Sequence, residues 1–195
     1  MPARILDRYT RDENGRYVLE ISANSVQALY SQFDRHAPYV KKELDPELID
    51  YIVESVREIG NAPFAIQFRV AEAADGELQA RVTASIQNYF LYLADLASRE
   101  LRRLMWHAFV FLVAGVVILA LSVYANRFIT GEESVVTRVM AEGLTVAAWV
   151  ALWEALATFL LNWAPSRRTI EINQRIARAP LRFTGPGGHD VSTTG

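Results

Sequence analysis

Two uninterrupted apolar runs dominate the hydropathy pattern of this chain. Met105 to Ala125 is 21 residues without a carboxylate, lysine or arginine; Gly143 to Trp163 is 21 more with one charge, Glu154. At 1.5 Å per residue a helix of either length reaches about 30 Å, the hydrocarbon thickness of a bilayer. Two core helices of a soluble protein are the alternative, and runs this long argue against it. The first run starts only at Met105, after a polar beginning (MPARILDRYTRDENGR), so a signal peptide is not expected.

Ahead of the runs the pattern changes period. Arg16 to Ser22 is β-branched, aromatic and partly alternating, which predicts a strand. Asp45-Pro46-Glu47 predicts a helix start, with an aspartate cap, proline at the first position and an acid in the first turn. That helix runs to about Ile59 and stops at Gly60-Asn61; Leu48, Ile49, Ile52, Val53 and Val56 form its apolar stripe. Phe64 to Val70 predicts a second strand, with Phe64, Ile66, Phe68 and Val70 on one face, and Ala74-Asp75-Gly76 a turn. From Glu77 a helical period continues into the first run, with no proline or glycine between Gly76 and Gly115, so one helix is expected from about Glu77 to Ala125. Its length is on the order of 70 Å. The cluster Tyr89, Phe90, Tyr92 is too apolar for a solvated stalk. It covers the chain's own sheet, a second subunit, or both.

Arginine placement sets an orientation. Arg99, Arg102 and Arg103 precede the first run, and Arg167, Arg168, Arg175 and Arg178 follow the second; the intervening Asn126 to Glu142 carries only Arg127 and Arg138. The excess predicts both termini in the cytoplasm, with Trp106 and Trp163 at the membrane interface beside Arg102, Arg103, Arg167 and Arg168. Thr130-Gly131-Glu132-Glu133 has the spacing of a capping box, which would start the second helix near Gly131. After Pro165, Ser166 would cap a short helix from Arg167 to Arg178, whose arginines either attract the anionic leaflet or simply flank the span. Gly185 to Gly195 is small and polar and reads as an unstructured tail.

Composition narrows the chemistry. The chain has 195 residues, no cysteine and a formal net charge of −2. Disulfides, thiol catalysis and cysteine-ligated metals are excluded, and the balance speaks against a nucleic-acid partner. No phosphate loop, dinucleotide fingerprint, nucleophile elbow or zinc-helix motif is present. His36, His107 and His189 are scattered. No catalytic residue, metal or cofactor is therefore expected; a cleft of convergent polar side chains would argue for an enzyme instead.

The exceptional residue is Glu154. A carboxylate at mid-span costs several kcal/mol unless paired or wetted. Thr158 and Asn162 lie on its side of the helix. Gly143, Ala147, Ala151 and Ala155 form a small-residue ladder, facing Ala114 and Gly115 of the first span. Glu154 either makes an interhelical hydrogen bond, serves ion or proton passage, or recognises a lipid or another membrane protein.

Lys42 to Glu47 with Tyr51-Ile52-Val53, Asn88-Tyr89-Phe90 with Tyr92, Arg99 to Arg103, and Trp149 to Trp153 with Phe159-Leu160, Trp163 and Pro165 together resemble a family of uncharacterised bacterial inner-membrane proteins. The resemblance covers roughly residues 40 to 180. In that family the second tryptophan is followed by Arg-Pro-Leu-Glu, where this chain reads Glu154-Ala155-Leu156-Ala157. The resemblance implies a two-span topology and a bacterial origin, and no activity.

The expectation is an α+β membrane protein: a cytosolic β-α-β domain over 1–76, a helical stalk over 77–104, spans over 105–125 and 143–163 with an external loop over 126–142, and a basic helix and tail over 164–195. Its expected role is non-enzymatic, binding a cytosolic or membrane protein or another copy of itself, with lipid around the hairpin. The alternative is a homo-oligomeric channel or pore gated by the cytosolic domain.

Overall fold

The computed structural model describes residues 6–31, 42–71, 75–128 and 135–184. In chain order these form β1 (Thr10–Arg11), β2 (Tyr17–Ala23), a 3-10 turn (Val26–Leu29), α1 (Pro46–Ile59), β3 (Phe64–Val70), α2 (Gly76–Phe128), α3 (Val135–Arg178) and β4 (Leu181–Thr184). The chain is thus α+β, with a small sheet and two long apolar helices that could cross a membrane. The loop that carries the expected capping box and the tail from Gly185 lie outside the described residues.

Local chemistry explains most boundaries. The β1–β2 turn closes through Gly15, whose φ of 73° suits glycine, and through Asp12, whose Oδ1 accepts the Asn14 and Arg16 N–H groups at 3.0 and 2.9 Å. Asp45 caps α1 as expected, its Oδ1 accepting from the N–H groups of Glu47 and Leu48 at 2.9 and 3.3 Å. Gly60, at φ 67°, ends that helix. Pro165 does not end α3, which runs through it to Arg178. A proline removes one intrahelical N–H without forcing a stop, and the turn beyond it is held by the Thr169 hydroxyl, which donates to the Pro165 carbonyl at 3.2 Å. The separate helix expected from Arg167 is therefore the last part of a longer one.

The chain divides into two compact units. The sheet unit takes the described residues up to Asp95 and those from Ile170 on; the hairpin unit is Leu96–Thr169. The sheet has order β1-β2-β3-β4, with β1 antiparallel to β2 and the other pairs parallel. Leu19, Ile66 and Leu181 align across it, as do Ile21, Phe68 and Phe183, and the rings of Phe68 and Phe183 stack at 5.3 Å. Successive parallel strands advancing in one direction place crossovers of one hand on one face, and burial agrees. Ile52, Val56 and Ile59 of α1, Val82, Ile86 and Phe90 of α2, and Ile172 and Ile176 of α3 all join the core on that face. The opposite face is polar: Arg69 pairs with Glu20 at 2.9 Å, and the Gln67 amide donates to the Thr184 hydroxyl at 2.7 Å.

The strands β2 and β3 and the helix α1 belong to a unit larger than residues 1–76. A thin sheet of this kind is marginal alone. The sheet-side parts of both long helices complete its core, and β4, expected to be tail, supplies the fourth strand. Arg175 fastens this addition. Its guanidinium donates to the Gly60 carbonyl and, at 2.8 Å, to the Ala62 carbonyl, and lies 5.3 Å from the Phe64 ring centroid. A cation there satisfies backbone acceptors just past the end of α1.

Candidate functional site

Within the hairpin unit the facing sides of α2 and α3 are built from small residues. Ala108, Gly115 and Ser122 are buried on α2, seven apart; Ala148 and Ala155 are buried on α3, also seven apart. A side chain at Gly115 would begin 3.0 Å from Leu152 Cγ and 3.3 Å from the Ala148 carbonyl. The Ser122 and Thr145 hydroxyls hydrogen-bond at 3.1 Å. Close backbone approach over small residues, with a hydroxyl pair across the seam, is how helices associate where the surroundings are as apolar as their own side chains.

The expected ladder is corrected here by about a quarter-turn. Gly115 and Ala155 are in the seam, but Gly143, Ala147 and Ala114 are exposed and Ala151 is half-buried. Both faces of α3 carry small residues, so composition alone did not choose between them. The close fit of Gly115 against Ala148 and Leu152 does.

Glu154 lies on the outside of the hairpin, exposed, and among the described residues it has no hydrogen-bond or ion-pair partner. Thr158 and Asn162 are half-buried, and the Asn162 amide donates to the Thr158 carbonyl at 3.0 Å within the same helix. These three polar residues do not bridge the two helices. Around them the large apolar side chains point outward, including Trp149, Trp153, Phe109, Phe111 and Leu161. Only 11% of the most apolar stretch of each helix is buried within the chain.

The residues expected at the interface are all exposed: Arg102, Arg103, Trp106, Trp163, Arg167 and Arg168. The Arg167 guanidinium lies 5.7 Å from the centroid of the Trp163 ring, which itself stacks on Phe159 at 6.1 Å.

The aromatic cluster expected to contact another subunit divides. Phe90 is fully buried in the chain's own core, so it offers no surface to a partner. Tyr89 packs half-buried against that core, and only Tyr92, 60% exposed, remains outside. Burial, with the Glu43 and Tyr92 charges behind it, pushes the Tyr89 hydroxyl above the ordinary tyrosine range.

The sheet unit also holds a cleft that no sequence pattern signalled. It has a volume of about 510 Å³ and is lined by Tyr9, Glu20, Tyr51, Glu54, Ser55 and Glu58 among others. The Tyr9 hydroxyl donates to Glu58 Oε2 at 2.7 Å, and Arg8 stands 3.9 Å from the same oxygen. Burial raises the Tyr9 hydroxyl above its ordinary value, against the Ser55 hydrogen bond and with the Glu58 carboxylate. Within the cleft the contacts centre on one pair, a protonated tyrosine bonded to a glutamate, while Glu20 pairs elsewhere, with Arg69. No histidine joins them, and among the described residues no cluster of metal-ligating side chains occurs. Tyr9 and Glu58 are 49 positions apart, a separation that no local spacing reveals.

In comparisons with protein-family models, with curated proteins and with solved structures, nothing matches the chain.

Proposed function

We propose that this chain is a non-enzymatic integral membrane protein of the bacterial inner membrane, with both termini cytoplasmic, whose sheet unit binds a protein partner or another copy of itself. The observation that carries the reading is the inverted packing of the hairpin: small residues meet in the seam while tryptophan, phenylalanine, leucine and valine face outward. Such a surface is stable in hydrocarbon and unfavourable in water. The arginine asymmetry supports the orientation, and the resemblance to bacterial inner-membrane proteins supports the compartment.

The absence of cysteine makes a clean test possible. Ser22→Cys in the sheet unit and Val139→Cys near the start of α3 are each the only thiol in their variant. With a membrane-impermeant maleimide on intact cells, Val139→Cys is expected to label and Ser22→Cys only after lysis. The reverse pattern overturns the orientation. Recovery of the protein in the supernatant after lysis without detergent overturns membrane residence.

A second reading, a homo-oligomeric channel, is favoured by Glu154. An outward, partnerless carboxylate at mid-span is costly against lipid, and a second copy packed over it removes that cost. Ion flux in liposomes that disappears in Glu154→Gln supports the channel; equal absence of flux in both proteins supports the anchor.

A further inference from the structure

We propose that one end of the hairpin is a binding surface for anionic phospholipid headgroups, formed by Arg102 and Arg103 of α2 and Arg167 and Arg168 of α3, with Trp106 and Trp163 beside them. The proposal rests on membrane residence and names the lipid class that this end of the hairpin selects.

The antiparallel register brings the two arginine pairs together. Gly115 lies against Ala148 and Leu152, and Ser122 against Thr145. Carried down the helices in steps of seven, those contacts set Ala108 between Ala155 and Phe159 and Leu101 between Asn162 and Ser166. Arg102 and Arg103 then stand at the level of Trp163, one turn from Arg167 and Arg168.

The charge there is unbalanced. All four arginines are exposed, and among the described residues none has a carboxylate partner. From Trp163 to Thr169 there is no acid at all, and from Ser98 to His107 only Glu100. Five arginines of the sheet unit are placed differently: Arg8, Arg16, Arg69, Arg81 and Arg182 each lie within 4 Å of an aspartate or glutamate. Guanidinium groups left in a planar, donor-rich form suit phosphate oxygens, which accept two parallel N–H bonds. The indoles of Trp106 and Trp163, 63% and 43% exposed, suit the depth at which those phosphates sit. Arg167 over the Trp163 ring holds one guanidinium at that depth.

The full chain, reconstituted into phosphatidylcholine vesicles containing a minority of phosphatidylglycerol, is floated and then extracted in mild detergent, and the lipid retained is quantified. Phosphatidylglycerol is expected to be enriched several-fold over its bulk share. The quadruple variant Arg102→Gln, Arg103→Gln, Arg167→Gln, Arg168→Gln is expected to return to the bulk ratio; each basic side chain near an anionic surface contributes roughly fivefold in affinity. The corresponding quadruple lysine variant is expected to retain most of the enrichment, which separates lost charge from misfolding. If the wild type floats with the vesicles but shows no enrichment, or the glutamine variant keeps it, this proposal is overturned while membrane residence stands. A wild type that fails to float overturns membrane residence itself.

Discussion

The sheet unit and the hairpin unit solve the same problem, where to put large apolar side chains, in opposite ways. In the first, Phe68, Phe90, Leu19, Ile66 and Ile176 are at or near zero exposure, and the outer face of the sheet carries the Arg69–Glu20 pair and the Gln67–Thr184 hydrogen bond. In the second, alanine, glycine and serine occupy the interior, while Trp153 and Leu161 are 69% and 72% exposed. Water drives the first arrangement, because burying apolar area is worth roughly 25 cal/mol per Å². The hairpin gains nothing from hiding large side chains if its solvent is hydrocarbon, so close backbone packing governs it instead. Both patterns occur along the same two helices: α2 contributes Val82, Ile86 and Phe90 to a water-driven core and then Ala108, Gly115 and Ser122 to a seam. The placement of large apolar side chains thus switches from inside to outside along α2 without any break in the helix.

The contrast can be broken most severely at the phenylalanines. Phe90→Ala is expected to cost the sheet unit about 3–5 kcal/mol, the range for emptying a filled aromatic core site. Phe109→Ala, which removes the same side chain from the outside of the hairpin, is expected to change stability by less than about 0.5 kcal/mol. Chemical denaturation of both variants in detergent micelles measures the pair, and equal losses would refute the inverted packing.

A smaller effect is expected in the seam. Gly115→Leu places atoms where Leu152 and the Ala148 carbonyl already stand, and overpacking of this kind costs about 1–3 kcal/mol. The gain in hydrophobicity would stabilise a helix pair limited by water exclusion, so a raised thermal midpoint would show that close approach does not govern this unit.

The smallest effect lies in the charge pairs of the sheet unit. Desolvation opposes the Asp12 carboxylate, but the Arg16 N–H and guanidinium, with the Asn14 N–H, outweigh it and hold the group below the ordinary value of 3.8. A carboxyl lowered by folding contributes its full stabilisation above the unfolded value and loses it as the pH falls through the native one. Asp12→Asn is therefore expected to flatten the acid limb of the unfolding curve below about pH 4 and leave the hairpin unchanged. An acid limb identical to wild type would remove the pair from the account.

Much of this architecture was legible along the chain. The Asp45-Pro46 start and Gly60 stop of α1 rest on capping and backbone conformation within a few residues. The long helix α2 follows from unbroken period and the absence of glycine and proline between Gly76 and Gly115, whereas α3 was legible only in its apolar part, because Pro165 reads as a stop. β4 was not legible, because Leu181, Arg182, Phe183 and Thr184 become a strand only by pairing with Ile66 to Arg69, more than a hundred positions earlier. The seam was half legible. A helix with small residues on two faces leaves the choice to whatever stands opposite.

Sequence alone determined local facts: where α1 starts and stops, where α2 starts, which runs are apolar enough for a bilayer and which ends are rich in arginine. These depend on residues a turn or two apart, where spacing is the physics. Tertiary structure alone decided which apolar side chains are core and which are surface, that Phe90 belongs to the chain's own sheet, that Arg175 holds the carbonyls of Gly60 and Ala62, and that Glu154 faces out. Those facts require two distant segments to meet, and the closeness of the fit between them is written in neither segment by itself.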